Sequence, residues 1–85
     1  MTDAEFDILD ELYFLQSYKD LTKSLDMSDG EIKSALEKLI IKGWVKCYIS
    51  PTAEIELDIG ELEKEYWNYH YLATKAGLLA HNSNY

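Results

Sequence analysis

The spacing of apolar residues changes abruptly at Gly43, from the period of a helix to the period of a strand. Before this glycine, apolar residues follow the i, i+3, i+4, i+7, i+8 spacing of an amphipathic helix, and after it they alternate with polar residues. Glycine is the usual residue just past a helix end. A chain of 85 residues fits a single domain, so the change predicts one small α+β fold. The helical set is Ile32, Ala35, Leu36, Leu39 and Ile40, and the strand set is Val45, Cys47 and Ile49.

The N-terminal segment predicts an amphipathic first helix. Thr2 and Glu5 have the spacing of a capping box, and the apolar pattern that follows extends the helix over residues 3–15. Ile8 and Leu15 widen its apolar arc to about half of the circumference, which is more than one core face needs. Two interpretations follow: the helix packs beneath the other helices, or these two residues contact a partner such as a second copy of the chain.

The next two helices predict a helix-turn-helix unit over residues 17–42. Ser17 begins a short helix that ends near Met27, and a tight turn follows. Ser28 and Glu31 form a second capping box at the start of the third helix. Two helices joined by so short a turn make the third helix the candidate recognition helix.

The segment after Gly43 predicts a β-hairpin wing over residues 44–72. Its first strand covers residues 45–50, and aromatic side chains in residues 66–72 indicate the returning strand. Residues 60–65 fit a turn, a continued strand or one helical turn. A short last helix is predicted over residues 74–81, with Thr74 as its N-cap.

Two stretches resemble winged-helix transcriptional regulators of the MarR and PadR types. One is LEKLIIKGWVKCYIS, from Leu36 to Ser50, and the other is YHYLATKAGLLAH, from Tyr69 to His81. The resemblance covers about residues 3–81 and implies a small winged-helix domain that contacts duplex DNA through its recognition helix and wing tip. The positions that correspond to DNA contacts are Ser28, Asp29, Lys33, Ser34, Glu37 and Lys38, together with the segment between Pro51 and Glu65.

Charge favours a different function for the same fold. Eight lysines stand against sixteen acidic residues, which gives a formal net charge of -8, and the sequence contains no arginine. Cations release counterions from DNA and so supply affinity, whereas an acidic wing repels the phosphates. The sequence therefore leaves two hypotheses. One is a transcriptional regulator that binds duplex DNA through helix 3, as a dimer or within a larger complex. The other is an acidic protein–protein interaction module that does not bind DNA.

Ile41 also bears on the choice between these hypotheses. At 100° per residue it lies near the centre of the exposed face of helix 3, where a monomer would prefer a polar residue. It either packs under the wing or contacts a partner.

The sequence offers no persuasive catalytic or metal-binding pattern. Cys47, His70 and His81 lack the spacing of a metal site, and the alternation of Cys47 with apolar residues predicts a buried structural cysteine. We therefore expect no enzyme activity and no cofactor. The lack of a long apolar run, of a signal peptide and of a second cysteine predicts a cytoplasmic protein without a membrane span.

Overall fold

The computed structural model describes residues 1–56 and 59–83 of the chain. These residues form five α-helices and a four-stranded antiparallel sheet, which confirms the α+β class. No helix in this part of the chain combines the length and apolarity that crossing a bilayer requires. The elements are α1 (Asp3–Glu11), β1 (Gln16–Ser17), α2 (Tyr18–Ser24), α3 (Asp29–Ile41), β2 (Val45–Ser50), β3 (Ala53–Ile55), α4 (Ile59–Glu65), a 3-10 helix (Tyr66–Asn68), β4 (His70–Ala73) and α5 (Lys75–Asn82).

The predicted N-caps are present. The Thr2 hydroxyl accepts from the Glu5 amide at 3.2 Å, and the Glu5 carboxylate accepts from the Thr2 amide at 3.1 Å. Ser28 and Glu31 make the same reciprocal pair at α3. Gly43 ends the α3 segment in the left-handed region at φ 76°, which is why glycine is needed there.

The prediction that the first helix continues to Leu15 is wrong, because α1 ends at Glu11. The carbonyl of Leu12 accepts from the Ala73 amide at 3.0 Å, and Gln16 pairs with Tyr71 in the sheet. The backbone at Leu12 and Gln16 therefore bonds to β4, and not within a continued helix.

The sheet has the strand order β1-β4-β2-β3. Tyr71 of β4 is opposite Gln16 of β1 on one side and Cys47 of β2 on the other, so β4 lies between those two strands. Ile55 of β3 is opposite Cys47 on the outer side of β2. The two short strands, β1 and β3, therefore form the edges of the sheet.

The segment between β2 and β4 is more elaborate than the predicted β-hairpin. Strands β2 and β4 pair directly in the sheet, but along the chain they are separated by β3, α4 and the 3-10 helix. Residues 60–65, which the sequence left open, are helical, and Leu62 of α4 is 1% exposed in the core. The returning strand begins at His70 and not at Tyr66. Of the alternating stretch Glu54 to Ile59, Leu57 and Asp58 lie outside the described residues.

The predicted inward face of β2 is only partly correct. Val45 and Cys47 are each 3% exposed, but Ile49 is 58% exposed. The pairing of β2 with β3 is irregular between Tyr48 and Ser50, so Ile49 lies at the point where the strand register shifts. The irregularity interrupts the alternation that would have directed Ile49 inward.

The core lies between the sheet and helices α1, α2 and α3. Ile8 belongs to this core and is fully buried, so the hypothesis that it contacts a partner is wrong. The largest fully buried side chains are Tyr71, Ile8, Leu9, Leu12, Leu21, Ile32, Leu36, Leu39, Leu62 and Glu5.

Candidate functional site

The outward face of α3 carries the side chains that the sequence proposed for DNA contact. Ile32, Ala35, Leu36 and Leu39 anchor the opposite face in the core, so the outward face is held firmly. The positions that it displays are Ser28, Asp29, Gly30, Ser34, Lys38 and Ile41, all of them exposed, with Lys33 and Glu37 half-buried.

A groove of about 520 Å³ runs between the start of α1 and the outward face of α3. It brings together Ser28, Ser34 and Lys38, but Lys33 and Glu37 do not line it. Thr2 and Ala4 form the opposite wall. The predicted DNA-contact residues are thus divided between this groove and the side of the helix that faces the aromatic 3-10 helix.

Lys33 has two partners within the domain. Its Nζ lies 3.9 Å from Glu37 Oε1, one helical turn away, and 5.6 Å from the centre of the Tyr66 ring. A carboxylate and the negative face of an aromatic ring both stabilise the ammonium group where it is. Moving this cation to a phosphate would require breaking both contacts.

Two further lysines close to α3 also have one carboxylate and one aromatic ring as partners. Lys42 donates to Glu5 Oε2 at 2.6 Å and lies 4.8 Å from the Trp44 ring centre. Lys46 Nζ lies 3.3 Å from Glu54 Oε1 and 5.7 Å from the Tyr48 ring centre. Hydrogen bonds with Tyr48, the larger effect, and with Glu54 raise the pKa of Lys46. Both cations are therefore occupied by contacts inside the domain.

Lys38 differs from these three lysines. It is exposed, it lines the groove, and it takes part in no ion pair with the described residues. The outward face of α3 thus offers one unpaired cation, beside the hydroxyls of Ser28 and Ser34. One lysine provides little counterion release on a duplex.

Asp29 at the start of α3 is bound by two tyrosines that the sequence pattern did not connect with it. The Tyr18 hydroxyl donates to Asp29 Oδ1 at 2.5 Å, and the Tyr66 hydroxyl donates to Oδ2 at 3.3 Å. Burial and the Asp29 carboxylate together raise the pKa of Tyr18. Because Tyr66 is distant in sequence, no local spacing would have revealed this contact. The two hydrogen bonds hold the 3-10 helix against α2 and α3. The Asp29 carboxylate stays at the start of α3, where its negative charge repels a phosphate backbone.

The other proposed partner contacts lie at the surface to different extents. Ile41 is 70% exposed, so the wing does not cover it and the packing alternative is wrong. Leu15 is half-buried. Acidic side chains remain exposed on α1 and α4, namely Asp3, Asp7, Asp10, Glu61, Glu63 and Glu65.

Cys47 and His81, the residues considered for a thiol or metal site, are both buried and pack against other residues of the domain. Burial raises the pKa of the Cys47 thiol to about 12, so the reactive thiolate is scarce at neutral pH. His81 is 2% exposed and stacks on Phe6 at 4.2 Å between ring centres. Its Nδ1 lies 2.8 Å from the Tyr13 hydroxyl and its Nε2 lies 3.3 Å from Asp10 Oδ1. Within residues 1–56 and 59–83, no three potential metal ligands lie together.

Comparison with protein-family models, with curated proteins and with solved structures finds no match to this chain.

Proposed function

We propose that the chain is a winged-helix domain that serves as an acidic protein–protein interaction module and does not itself bind DNA. The topology supports the fold assignment. Helices α1, α2 and α3 precede β2, and β4 returns between β1 and β2 to form a three-stranded unit. The inserted β3, α4 and 3-10 helix then take the place of the predicted wing tip.

One observation carries the functional part of this proposal, namely that among the described residues three of the four lysines on or next to α3 pair with carboxylates of the domain, whereas Lys38 does not. Lys33, Lys42 and Lys46 each pair with a carboxylate of the same domain. The charges left exposed are mostly acidic, in keeping with the formal net charge of -8. A surface of this kind repels a phosphate backbone and attracts basic proteins.

Exposed apolar side chains supply a second reason to favour a protein partner. Such residues are common one at a time, but five large apolar side chains among the described residues are more than half exposed. They are Phe14 at 77%, Ile41 at 70%, Ile49 and Leu79 at 58%, and Trp67 at 54%.

The test is a titration of the ¹⁵N-labelled chain with a generic duplex, at low salt and near physiological salt. We expect no binding near physiological salt, and only weak, unlocalised shifts at low salt. Glu37→Gln should increase the low-salt affinity, because it releases Lys33. Glu63→Gln is the matched control, since it removes the same charge from an exposed site that pairs with no lysine in the described chain.

A second candidate function is duplex reading through the groove, and the environment of Lys38 favours it. This lysine is unpaired in the described structure and stands beside Ser28 and Ser34. Salt-sensitive shifts confined to residues 28–42, lost in the Lys33→Glu, Lys38→Glu double variant, would establish a DNA-reading regulator and overturn the interaction module.

A further inference from the structure

The outward side of α1 presents an exposed stripe that the fold leaves uncovered. Asp3, Asp7 and Asp10 follow the spacing i, i+4, i+7, which places them along one side of α1, and Phe14 lies in the turn just beyond the end of this helix. All four are exposed, and Phe14, at 77%, is the most exposed large apolar side chain among the described residues. We call these four residues, together with Tyr13 and Leu79, the α1 face.

The backbone is anchored to β4 on both sides of Phe14. Two residues earlier, the Leu12 carbonyl accepts from the Ala73 amide at 3.0 Å. Two residues later, Gln16 pairs with Tyr71 in the sheet. These two anchors fix the backbone of the turn that carries Phe14, and the ring is 77% exposed there. Because the backbone is already ordered, a partner that covers this aromatic ring does not also have to order the turn.

The neighbouring helix α5 extends the apolar part of this surface. The Tyr13 hydroxyl donates to Asn82 Oδ1 at 3.0 Å, which fixes α5 beside the end of α1. Leu79 lies one turn before Asn82 on the same side of α5 and is 58% exposed. Tyr13 itself is 39% exposed. An apolar region therefore adjoins one end of the acidic stripe.

The charge of α1 defines the kind of partner that fits. Residues 3–11 contain five acids and no lysine. Glu5 forms an ion pair with Lys42, and Asp10 lies against His81. Asp3 and Asp7 remain exposed without an ion pair in the described chain. Such a surface repels a duplex, an anionic bilayer and, because like charges would meet, a second copy of itself.

We propose that the α1 face docks a basic amphipathic segment of a partner protein, with an apolar side chain against Phe14 and Lys or Arg side chains along the stripe of aspartates. This proposal rests on the proposed function as a protein-interaction module, and it assigns the surface and the partner chemistry. Apolar anchoring supplies the affinity, and the charges supply orientation and rate.

The experiment titrates the labelled full chain with a short helical peptide of Lys, Ala and Leu that carries its leucines on one face. We expect shifts confined to residues 3–15 and 78–82. Phe14→Ser should weaken binding by about tenfold, the loss typical of a central anchor. Ile41→Ser is the matched control, because it removes a similarly exposed apolar residue from α3 and should leave the affinity unchanged.

The acidic stripe is tested with Asp3→Asn combined with Asp7→Asn, which should weaken the same peptide and reduce the salt dependence of its binding. The control is Asp26→Asn combined with Glu63→Gln, an equal change of charge at exposed sites away from α1. A peptide of the same charge with serine in place of leucine should bind at least about tenfold more weakly. Unchanged spectra of the free variants confirm that each one folds.

Three outcomes would overturn this inference. Equal binding of the serine peptide would show attraction by net charge alone. Shifts at residues 28–42 that are sensitive to Ile41→Ser would place the docking surface on α3 and leave the proposed function intact. A dimer in sedimentation that Phe14→Ser dissociates would make a second copy the occupant. Failure of the proposed function itself is seen separately, in the duplex titration.

Discussion

Glu5 links the start of α1 to the end of α3. Its carboxylate belongs to the Thr2 capping box and also accepts from Lys42 Nζ at 2.6 Å, although the residue is only 2% exposed. Burial tends to raise its pKa, but hydrogen bonds from Lys42 and Thr2 outweigh burial and hold the pKa below the ordinary value of 4.5. The sequence predicted the cap, but the distant lysine gave no local signal.

The titration of Glu5 should appear in the pH dependence of stability. A carboxyl group with a lowered pKa in the folded state stabilises the fold above its unfolded pKa, and this stability is lost as the pH falls. We expect Glu5→Gln to reduce the free energy of unfolding at neutral pH by about 1–3 kcal/mol, since a buried charged hydrogen bond is lost. Urea unfolding should also show a flatter dependence on pH below 4.5 in the variant.

Glu31→Gln provides the control for this prediction. Glu31 makes the equivalent capping box with Ser28, but it is exposed and pairs with no lysine in the described chain. Its effect should remain within about 0.5 kcal/mol, as for most surface changes. Equal losses in the two variants would assign the effect of Glu5 to capping and not to Lys42.

Among the elements, α5 depends on a close approach between backbones. The Thr74 amide donates to the Trp44 carbonyl at 2.9 Å, just before the helix begins. A Cβ added at Gly77 would lie 2.1 Å from that same carbonyl oxygen. Glycine at this position lets the helix lie directly against the chain that leads into β2.

Gly77→Ala should therefore lower the free energy of unfolding by about 1–3 kcal/mol, because backbone atoms must move to admit the methyl group. Gly30→Ala is the matched control, since a Cβ there meets nothing within 4 Å. We expect that variant to stabilise α3 by about 0.5–1 kcal/mol through helix propensity. Thermal melts of both variants make the comparison, and changes in the same direction would show that Gly77 does not pack as described.

For the whole molecule, Cys47 offers a probe of global opening. It lies on β2 between β4 and β3, it is 3% exposed, and burial raises its pKa to about 12. An alkylating reagent needs the thiolate and access to it, and the folded state restricts both.

We expect alkylation of native Cys47 to be slow and to accelerate with urea in parallel with unfolding, because the core strands open only when the whole fold opens. Mass spectrometry at increasing urea measures the rate. A rate in water close to that of the unfolded chain would show that β2 opens locally, which would contradict the central position given to this strand.

Local signals in the sequence were sufficient for the helices that carry their own caps. Ser28, Glu31 and Gly43 predicted the limits of α3 to within one residue at each end, since capping and apolar period act within a few residues of the chain. The same logic located Thr74 at the start of α5. The helical period also placed Ser34, Lys38 and Ile41 on the outward face of α3, where they are exposed, whereas Lys33 and Glu37 are half-buried.

Contacts between residues far apart in the sequence decided the features that local signals did not predict. Residues 12–15 have helical spacing, yet they leave the helix because Ala73 and Tyr71 provide backbone partners for Leu12 and Gln16. A two-residue strand such as β1 exists only through such a partner. The chemistry of the α3 face was decided in the same way, since Tyr66 and Glu5, which occupy Lys33 and Lys42, come from distant parts of the chain. Charge can be counted from the sequence, and the i, i+4 spacing allows a local pair such as Lys33 with Glu37, but only the tertiary fold determines which charges pair across distant parts of the chain.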